Sequence, residues 1–193
     1  MKIGVPKEIK PQETRIGLTP DSVKDLVSNG HEVLVENDGG HEAGFENSHY
    51  LSAGAKIVNK AEDIFNDSEI IVKVKEPLSN EVKMIKENQI VFTYLHLAAA
   101  KDLTQGLINS KGVCIAYETV TDQNGRLPLL APMSAVAGRM SVQAGAHCLE
   151  KNQRGRGLLL GGAPGVEGGT VVILGGGVVG ENAAIIATGM QAK

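Results

Sequence analysis

Apolar residues in the first 129 positions fall into short runs that are separated by polar segments. Each run has the length and the β-branched character of a buried strand. Helical stretches of about ten residues alternate with these runs, which predicts an α/β fold: a mostly parallel sheet with helices on both faces. The predicted strands cover residues 3–5, 32–36, 69–74, 89–95 and 112–117.

The clearest helix signal follows the loop after the first strand. Thr19 is a suitable N-cap, Pro20 is favoured at the first helical position, and Asp21 suits the positive end of the helix. Gly30 is placed to end this helix. Two further helices are predicted over residues 78–87 and 101–109.

The composition changes near residue 130. Residues 1–129 contain 14 Lys and Arg against 19 Asp and Glu, whereas residues 130–193 contain 5 against 3 and hold 14 of the 24 glycines. We therefore predict one domain over residues 1–129 and the beginning of a second over 130–193. A helix rich in Ala and Gly over residues 132–151 opens the second region, and its small side chains favour a buried position between two domains.

The glycines concentrate in a turn whose flanks have a defined order. A strand-like run over residues 170–174 leads into the sequence GGGVVG at 175–180 and then into an apolar helix over 181–190. In a dinucleotide-binding turn, Gly175 would permit the tight turn, Gly177 the approach of a pyrophosphate, and Gly180 close packing of helix on strand.

Strand, turn and helix in this order predict the start of a Rossmann dinucleotide-binding domain. A β–α turn in which the glycines are purely structural is the alternative. The acidic residue that binds the adenine ribose is expected about 20 residues further along, past Lys193. We therefore expect residues 130–193 to hold only the first part of the cofactor domain.

Three polar residues in the first region suggest a binding site. Arg15 lies in the loop before the first helix, and a guanidinium suits two-pronged binding of a carboxylate. Lys75 and His96 each follow a predicted strand, at its carboxyl end. Because ligands of open α/β sheets bind at the carboxyl ends of the strands, we expect Lys75 and His96 to converge on one site.

Charge and composition exclude several classes of protein. A formal charge of −3 and 3% aromatic residues argue against nucleic acid as a partner. No apolar run approaches the roughly 20 residues of a membrane span, and the first residues lack a signal-peptide core, so no membrane association is expected. Cys114 and Cys148 are too few for a disulfide scaffold, which favours the cytoplasm, and their spacing to the histidines predicts no metal site.

Several segments together resemble the alanine dehydrogenase family, which is related to the nicotinamide-binding subunit of proton-translocating transhydrogenase. The match runs through the whole chain in family order and looks like the amino-terminal half of the family's chain. The matching segments are residues 3–7, 13–20, 72–77, 93–98, 117–120, 132–140 and 175–180.

The resemblance implies NAD-dependent oxidation of L-alanine to pyruvate and ammonia, with the reverse reductive amination. Arg15 and Lys75 would bind the substrate, Arg15 by its carboxylate, and His96 would be the general acid and base. A cytoplasmic homo-oligomer, a hexamer, is also implied. The residues that would contact NAD are Ser134, Gly175, Gly177, Val178, Val179 and Gly180.

Two other functions stay open at this point. A transhydrogenase subunit exchanges hydride between nucleotides and has no amino-acid substrate. A non-catalytic fragment or binding module is the second, and we expect the 193 residues alone to be inactive because half of the cofactor site would be absent. The combination of Arg15, Lys75 and His96 favours the alanine dehydrogenase reading.

Overall fold

The first part of the chain forms a six-stranded sheet in which every pairing is parallel. The structure is a computed structural model that describes residues 1–193. The strand order is β3-β2-β1-β4-β5-β6. The strands are β1 (Lys2–Val5), β2 (Glu32–Glu36), β3 (Lys56–Val58), β4 (Ile70–Val72), β5 (Ile90–Thr93) and β6 (Val113–Ala116).

Two hydrophobic cores lie on opposite faces of this sheet. Val33 and Val35 of β2 belong to one core and Leu34, between them, belongs to the other. Successive side chains of a strand point to opposite faces, so both faces are buried. The predicted parallel sheet with helices on both faces is therefore confirmed.

The helices connect the strands and cover the sheet, and α1 follows its sequence signals closely. Thr19 accepts a hydrogen bond from the Ser22 amide at 3.3 Å, Pro20 is the first helical residue, and Gly30 beyond the helix end has φ +82°. The helices are α1 (Pro20–Ser28), α2 (Asn47–Ser52), α3 (Ala61–Asp67), α4 (Ser79–Val82), α5 (Lys101–Ser110), α6 (Ala131–Cys148) and α7 (Val178–Gly189). Single 3₁₀ turns occur at His41–Ala43, Leu97–Ala99, Tyr117–Thr119 and Lys151–Gln153.

The helix predicted over residues 78–87 is wrong in length, because α4 ends at Val82. Gln89 explains the early end. Its buried side-chain amide donates to the carbonyls of Phe65 and Ser68, and its oxygen accepts the Lys86 amide at 3.1 Å. The segment before β5 is thus held as a turn. The sequence patterns also missed β3, α2 and α3, which are short elements of three to seven residues.

The chain divides into two compact units, Met1–Val120 and Thr121–Lys193, whereas the sequence suggested a boundary between residues 129 and 130. In the second unit α6 packs on α7. Within this chain Gly138 and Val142 are the buried residues of α6, and burial of the helix between two domains stays a prediction. Neither α6, the longest helix, nor any other helix combines the length and hydropathy that crossing a bilayer requires.

The strand predicted over residues 170–174 is not formed. This segment has no strand beside it in the second unit, and a strand requires a hydrogen-bonded neighbour. Its side chains are correspondingly accessible, with Val172 77% and Leu174 94% exposed. The glycine-rich turn and α7 do follow it, and α7 begins at Val178, earlier than predicted.

Candidate functional site

The three residues singled out in the first unit follow three neighbouring strands. Arg15 lies in the loop after β1, Lys75 follows β4, and His96 follows β5. These strands are adjacent and parallel in the order β1-β4-β5, so their carboxyl ends share one edge of the sheet. The topology therefore brings the three loops to one edge of the sheet.

Arg15 is held by Glu13, two residues earlier. Its Nε donates to Glu13 Oε1 at 2.7 Å and its Nη2 donates to Glu13 Oε2 at 2.6 Å, which is the two-pronged geometry of a guanidinium with a carboxylate. These bonds lower the pKa of Glu13 to about 2, and the charge of Lys75 adds to the effect. Glu13 therefore stays ionised and fixes the plane of the guanidinium.

The loop that carries Arg15 is packed closely against the end of β4. A Cβ placed on Gly17 would lie 2.6 Å from the Val72 carbonyl oxygen, which is too close for any side chain. Gly17 thus allows the two backbones to touch. The contact keeps the Arg15 loop beside the segment that leads to Lys75.

Lys75 is positioned through its backbone. Its amide donates to Glu8 Oε1 at 3.1 Å, and its carbonyl accepts a hydrogen bond from Thr93 Oγ1 at 2.8 Å. Its ammonium charge is close enough to Glu13 to lower the pKa of that carboxyl. The backbone of Lys75 is therefore fixed on both sides of its α-carbon.

His96 adopts a left-handed backbone conformation with φ +50° and ψ +39°. For a residue other than glycine this is uncommon and strained. Glu118 stabilises it by accepting the amides of Leu95 at 3.0 Å and His96 at 2.8 Å on one oxygen. Burial acts to raise the pKa of Glu118, but the amide hydrogen bonds outweigh it and the pKa is lowered. The exposed imidazole is thus presented on a defined turn.

Tyr94 links the histidine to the arginine. Its ring stacks on the His96 ring with centroids 5.9 Å apart and an interplanar angle of 7°. Burial raises the pKa of Tyr94, whereas the nearby Arg15 charge acts to lower it. The Tyr94 phenol therefore lies within the field of the Arg15 charge, and the His96 ring lies against the ring of Tyr94.

In the second unit, the residues predicted to contact a cofactor all line one groove of about 770 Å³. Gly175 has φ +98°, and a Cβ on Gly180 would overlap the Gly175 carbonyl oxygen. Glycine is therefore required at positions 175 and 180. The turn opens α7 and presents the amide-rich end of a helix to the groove. This cradle fits the pyrophosphate of a dinucleotide. The predicted members of its wall are Ser134, Gly175, Gly177, Val178, Val179 and Gly180.

Sequence reasoning missed several residues that hold the site. Glu13, Glu8 and Glu118 were not singled out, although Glu13 is two positions from Arg15 and Glu118 follows the last strand. Carboxylates at such positions are usually solvated, so the pattern gave no reason to choose them. No group of three or more His, Cys, Asp or Glu side chains is arranged to hold a metal ion.

These features define an α/β protein with a polar site at the carboxyl edge of a parallel sheet and a glycine-rich turn of the dinucleotide-binding type. Family models make the assignment specific. Residues 4–137 match the N-terminal domain of alanine dehydrogenase/PNT, and residues 141–193 match the C-terminal domain. The chain belongs to the alanine dehydrogenase/PNT family.

Individual relatives agree with this membership. The alanine dehydrogenase of Halomonas elongata is 54% identical over 193 residues, which is all of this chain and 52% of that protein. The alanine dehydrogenase of Bacillus subtilis is also 54% identical over 193 residues, with 50% of that protein covered. The chain thus spans about half the length of the curated relatives it matches.

Solved structures show the same fold. An L-alanine dehydrogenase structure matches all of this chain and 53% of its own with a TM-score of 0.90 and 55% identity. A transhydrogenase from Sinorhizobium meliloti matches all of this chain and 57% of its own with a TM-score of 0.80 and 22% identity. The second likeness, at that identity, concerns the fold alone.

Proposed function

We propose that the protein to which this chain belongs catalyses NAD-dependent oxidative deamination of L-alanine to pyruvate and ammonia, and the reverse reductive amination. One observation carries the proposal. Arg15, Lys75 and His96 follow three adjacent parallel strands in a chain 54% identical to alanine dehydrogenases. A transhydrogenase function has no comparable need for an arginine and a lysine directed to a carboxylate substrate.

Arg15 binds the substrate carboxylate. A guanidinium recognises a carboxylate through parallel hydrogen bonds, and Glu13 already fixes the orientation of this one. Lys75 donates to the carbonyl oxygen of pyruvate and stabilises the negative charge that develops on it. His96 exchanges a proton with the same oxygen, because an imidazole can act as a general acid and as a general base.

NAD is held by the second unit in this proposal. The amides at the start of α7 would bind the pyrophosphate at Gly175, Gly177 and Gly180, while Ser134 and the backbone at Val178 and Val179 would contact the rest of the cofactor. When bound, NAD would supply the hydride chemistry, in which the α-carbon hydrogen of alanine leaves with its electron pair. The side chains of the protein orient the substrate and transfer protons to and from it.

We also propose that the protein is a cytoplasmic homohexamer, on the basis of the family resemblance. Two unpaired cysteines are compatible with a reducing compartment. Light scattering of the full-length protein after gel filtration tests the assembly. A mass of six chains is expected, and a monomer would contradict it.

The activity is tested by following NADH formation from NAD and L-alanine with the full-length protein that contains this chain. We expect NADH to form only when alanine is present, and pyruvate with ammonia to reverse the reaction. Hydride exchange between two nicotinamide nucleotides without any amino acid would instead support a transhydrogenase. Lack of NADH formation with every amino acid would contradict the proposal.

A further inference from the structure

A buried network of three charges lies under the segment that carries Lys75. Lys73 Nζ is 3.1 Å from Glu8 Oε2 and 2.7 Å from Glu81 Oε1. The side chain of Lys73 is fully buried, and the side chains of both glutamates are only 2% exposed. Such a network contributes little net stability compared with well-packed apolar residues, and its contacts with the backbone show what else it does.

Glu8 differs from Glu81 in what its second oxygen binds. Glu8 Oε1 accepts the amides of Val74 at 2.6 Å and Lys75 at 3.1 Å. Glu81 Oε2 accepts only the Leu78 amide, at 2.8 Å, three residues past Lys75. Two carboxylates of equal burial therefore share one lysine, but only Glu8 reaches the backbone of Lys75.

Glu8 also belongs to the loop that carries the predicted carboxylate clamp. It follows β1 and lies seven residues before Arg15 in the sequence. Glu8 and Arg15 line the same small cavity of about 30 Å³. One buried carboxylate thus joins the loop of Arg15 to the loop of Lys75.

We infer that Glu8 is a positioning residue for Lys75: its carboxylate, held by Lys73, fixes the backbone of Lys75 relative to the loop that carries Arg15. This inference rests on the proposed function. The ammonium group stands on a flexible stem of four carbons, so its reach is set by where the backbone is fixed. Displacement of the ammonium by about 1 Å can cost about a hundredfold in kcat/KM for pyruvate.

The test compares Glu8→Ala with Glu81→Ala in the full-length protein. Both truncations leave Lys73 with a single carboxylate, and both should lower the unfolding temperature by a similar amount. Glu8→Ala should raise the KM for pyruvate about tenfold or more with the KM for NADH unchanged, whereas Glu81→Ala should leave both KM values close to wild type. Equal changes of the pyruvate KM in the two variants would overturn the inference.

A charge-free background covers the case in which Glu8→Ala does not fold. Combining Glu8→Gln, Lys73→Met and Glu81→Gln removes all three charges but keeps oxygen acceptors for the amides of Val74, Lys75 and Leu78. This variant should keep the pyruvate KM within about threefold, since buried ion pairs are replaceable by neutral groups of similar volume. With Glu8→Ala in place of Glu8→Gln, the KM should rise about tenfold or more. Any smaller difference between these two variants contradicts the inference.

A double-mutant cycle with Lys75→Met shows whether the effect passes through Lys75. The readout is the pyruvate affinity of the NADH complex, measured by NADH fluorescence, so slow turnover does not matter. Glu8→Ala should no longer weaken pyruvate binding when Lys75→Met is also present. A penalty that persists assigns Glu8 a different role. A wild-type protein without alanine-dependent activity would instead refute the proposed function, which the activity assay separates from this result.

Discussion

Each unit contains a short run rich in β-branched apolar residues, but only the run in the first unit forms a strand. Residues 32–36 (EVLVE) form β2, and Val33 and Val35 are buried. Residues 170–174 (TVVIL) are more apolar, yet they form no strand and expose Val172 and Leu174. The difference lies in their neighbours, because β2 is hydrogen-bonded between β1 and β3. An apolar, β-branched run becomes a strand only where partner strands complete it.

The two units also differ in what their polar groups are arranged to do. The first unit holds Arg15, Lys75 and His96 at one sheet edge, each fixed by a carboxylate, namely Glu13, Glu8 or Glu118. The second unit offers mainly backbone groups around a glycine-rich turn. We propose that the first unit binds the substrate and the second binds NAD. A substitution in one unit should therefore change the kinetics with one ligand and leave the affinity for the other unchanged.

The largest effect is expected from His96→Ala in the full-length protein. Loss of the acid and base should lower kcat by about 10²–10⁴-fold. The affinity for NAD should stay unchanged, because His96 belongs to the first unit. Steady-state kinetics and NAD titration measure both quantities. Retained turnover would disprove the acid–base role, and a parallel loss of NAD affinity would disprove the division between the units.

In the 193-residue chain, a substitution in the core of the first unit should lower the free energy of unfolding much more than a substitution in the segment over residues 170–174. Phe65 of α3 is fully buried, so Phe65→Ala should lower the free energy of unfolding by about 3–5 kcal/mol. The matched change in the second unit of the same 193-residue chain is Leu174→Ala, which removes a side chain exposed in that chain and should alter its stability by at most about 0.5 kcal/mol. Urea unfolding followed by circular dichroism checks both, and similar losses in the two variants would break the comparison.

A smaller effect, confined to the cofactor, is expected from Gly180→Ala. The added Cβ meets the Gly175 carbonyl oxygen, and overpacking of about 1–3 kcal/mol should distort the turn. NAD binding should weaken about tenfold or more while the alanine KM stays near wild type. Gly176→Ala is the control, because its Cβ would meet no heavy atom within 4 Å. Equal loss in both variants would show that the backbone contact is not responsible.

Much of the fold could be predicted because local signals and tertiary structure agree. The strand over residues 32–36 and the cap at Thr19 are examples, since a short apolar run and helix capping both act within a few residues. The short strand β3 carries too few residues for a pattern. The strand over 170–174 was predicted wrongly because pairing depends on a partner that the pattern does not encode.

Of the residues in the candidate site, the sequence predicted Arg15, Lys75 and His96 but not the carboxylates that contact them. Arg15, Lys75 and His96 follow loops or strand ends, so position and chemistry were both visible. The carboxylates that hold them come from 2, 67 and 22 residues away for the Glu13–Arg15, Glu8–Lys75 and Glu118–His96 contacts. The Glu8–Lys75 and Glu118–His96 pairings arise from the folded chain, whereas the Glu13–Arg15 pairing is local but looks like an ordinary pair of solvated charges in the sequence.

The most direct measurement of the central claim is the KM for pyruvate of an Arg15→Lys variant of the full-length protein, with NADH and ammonia saturating. Lysine keeps the charge but lacks the fork, so one charge-assisted hydrogen bond of about 1.5–3 kcal/mol is lost. We predict a pyruvate KM raised about tenfold or more with the NADH KM unchanged. A pyruvate KM equal to that of the wild type would contradict the assignment of the substrate site to the first unit.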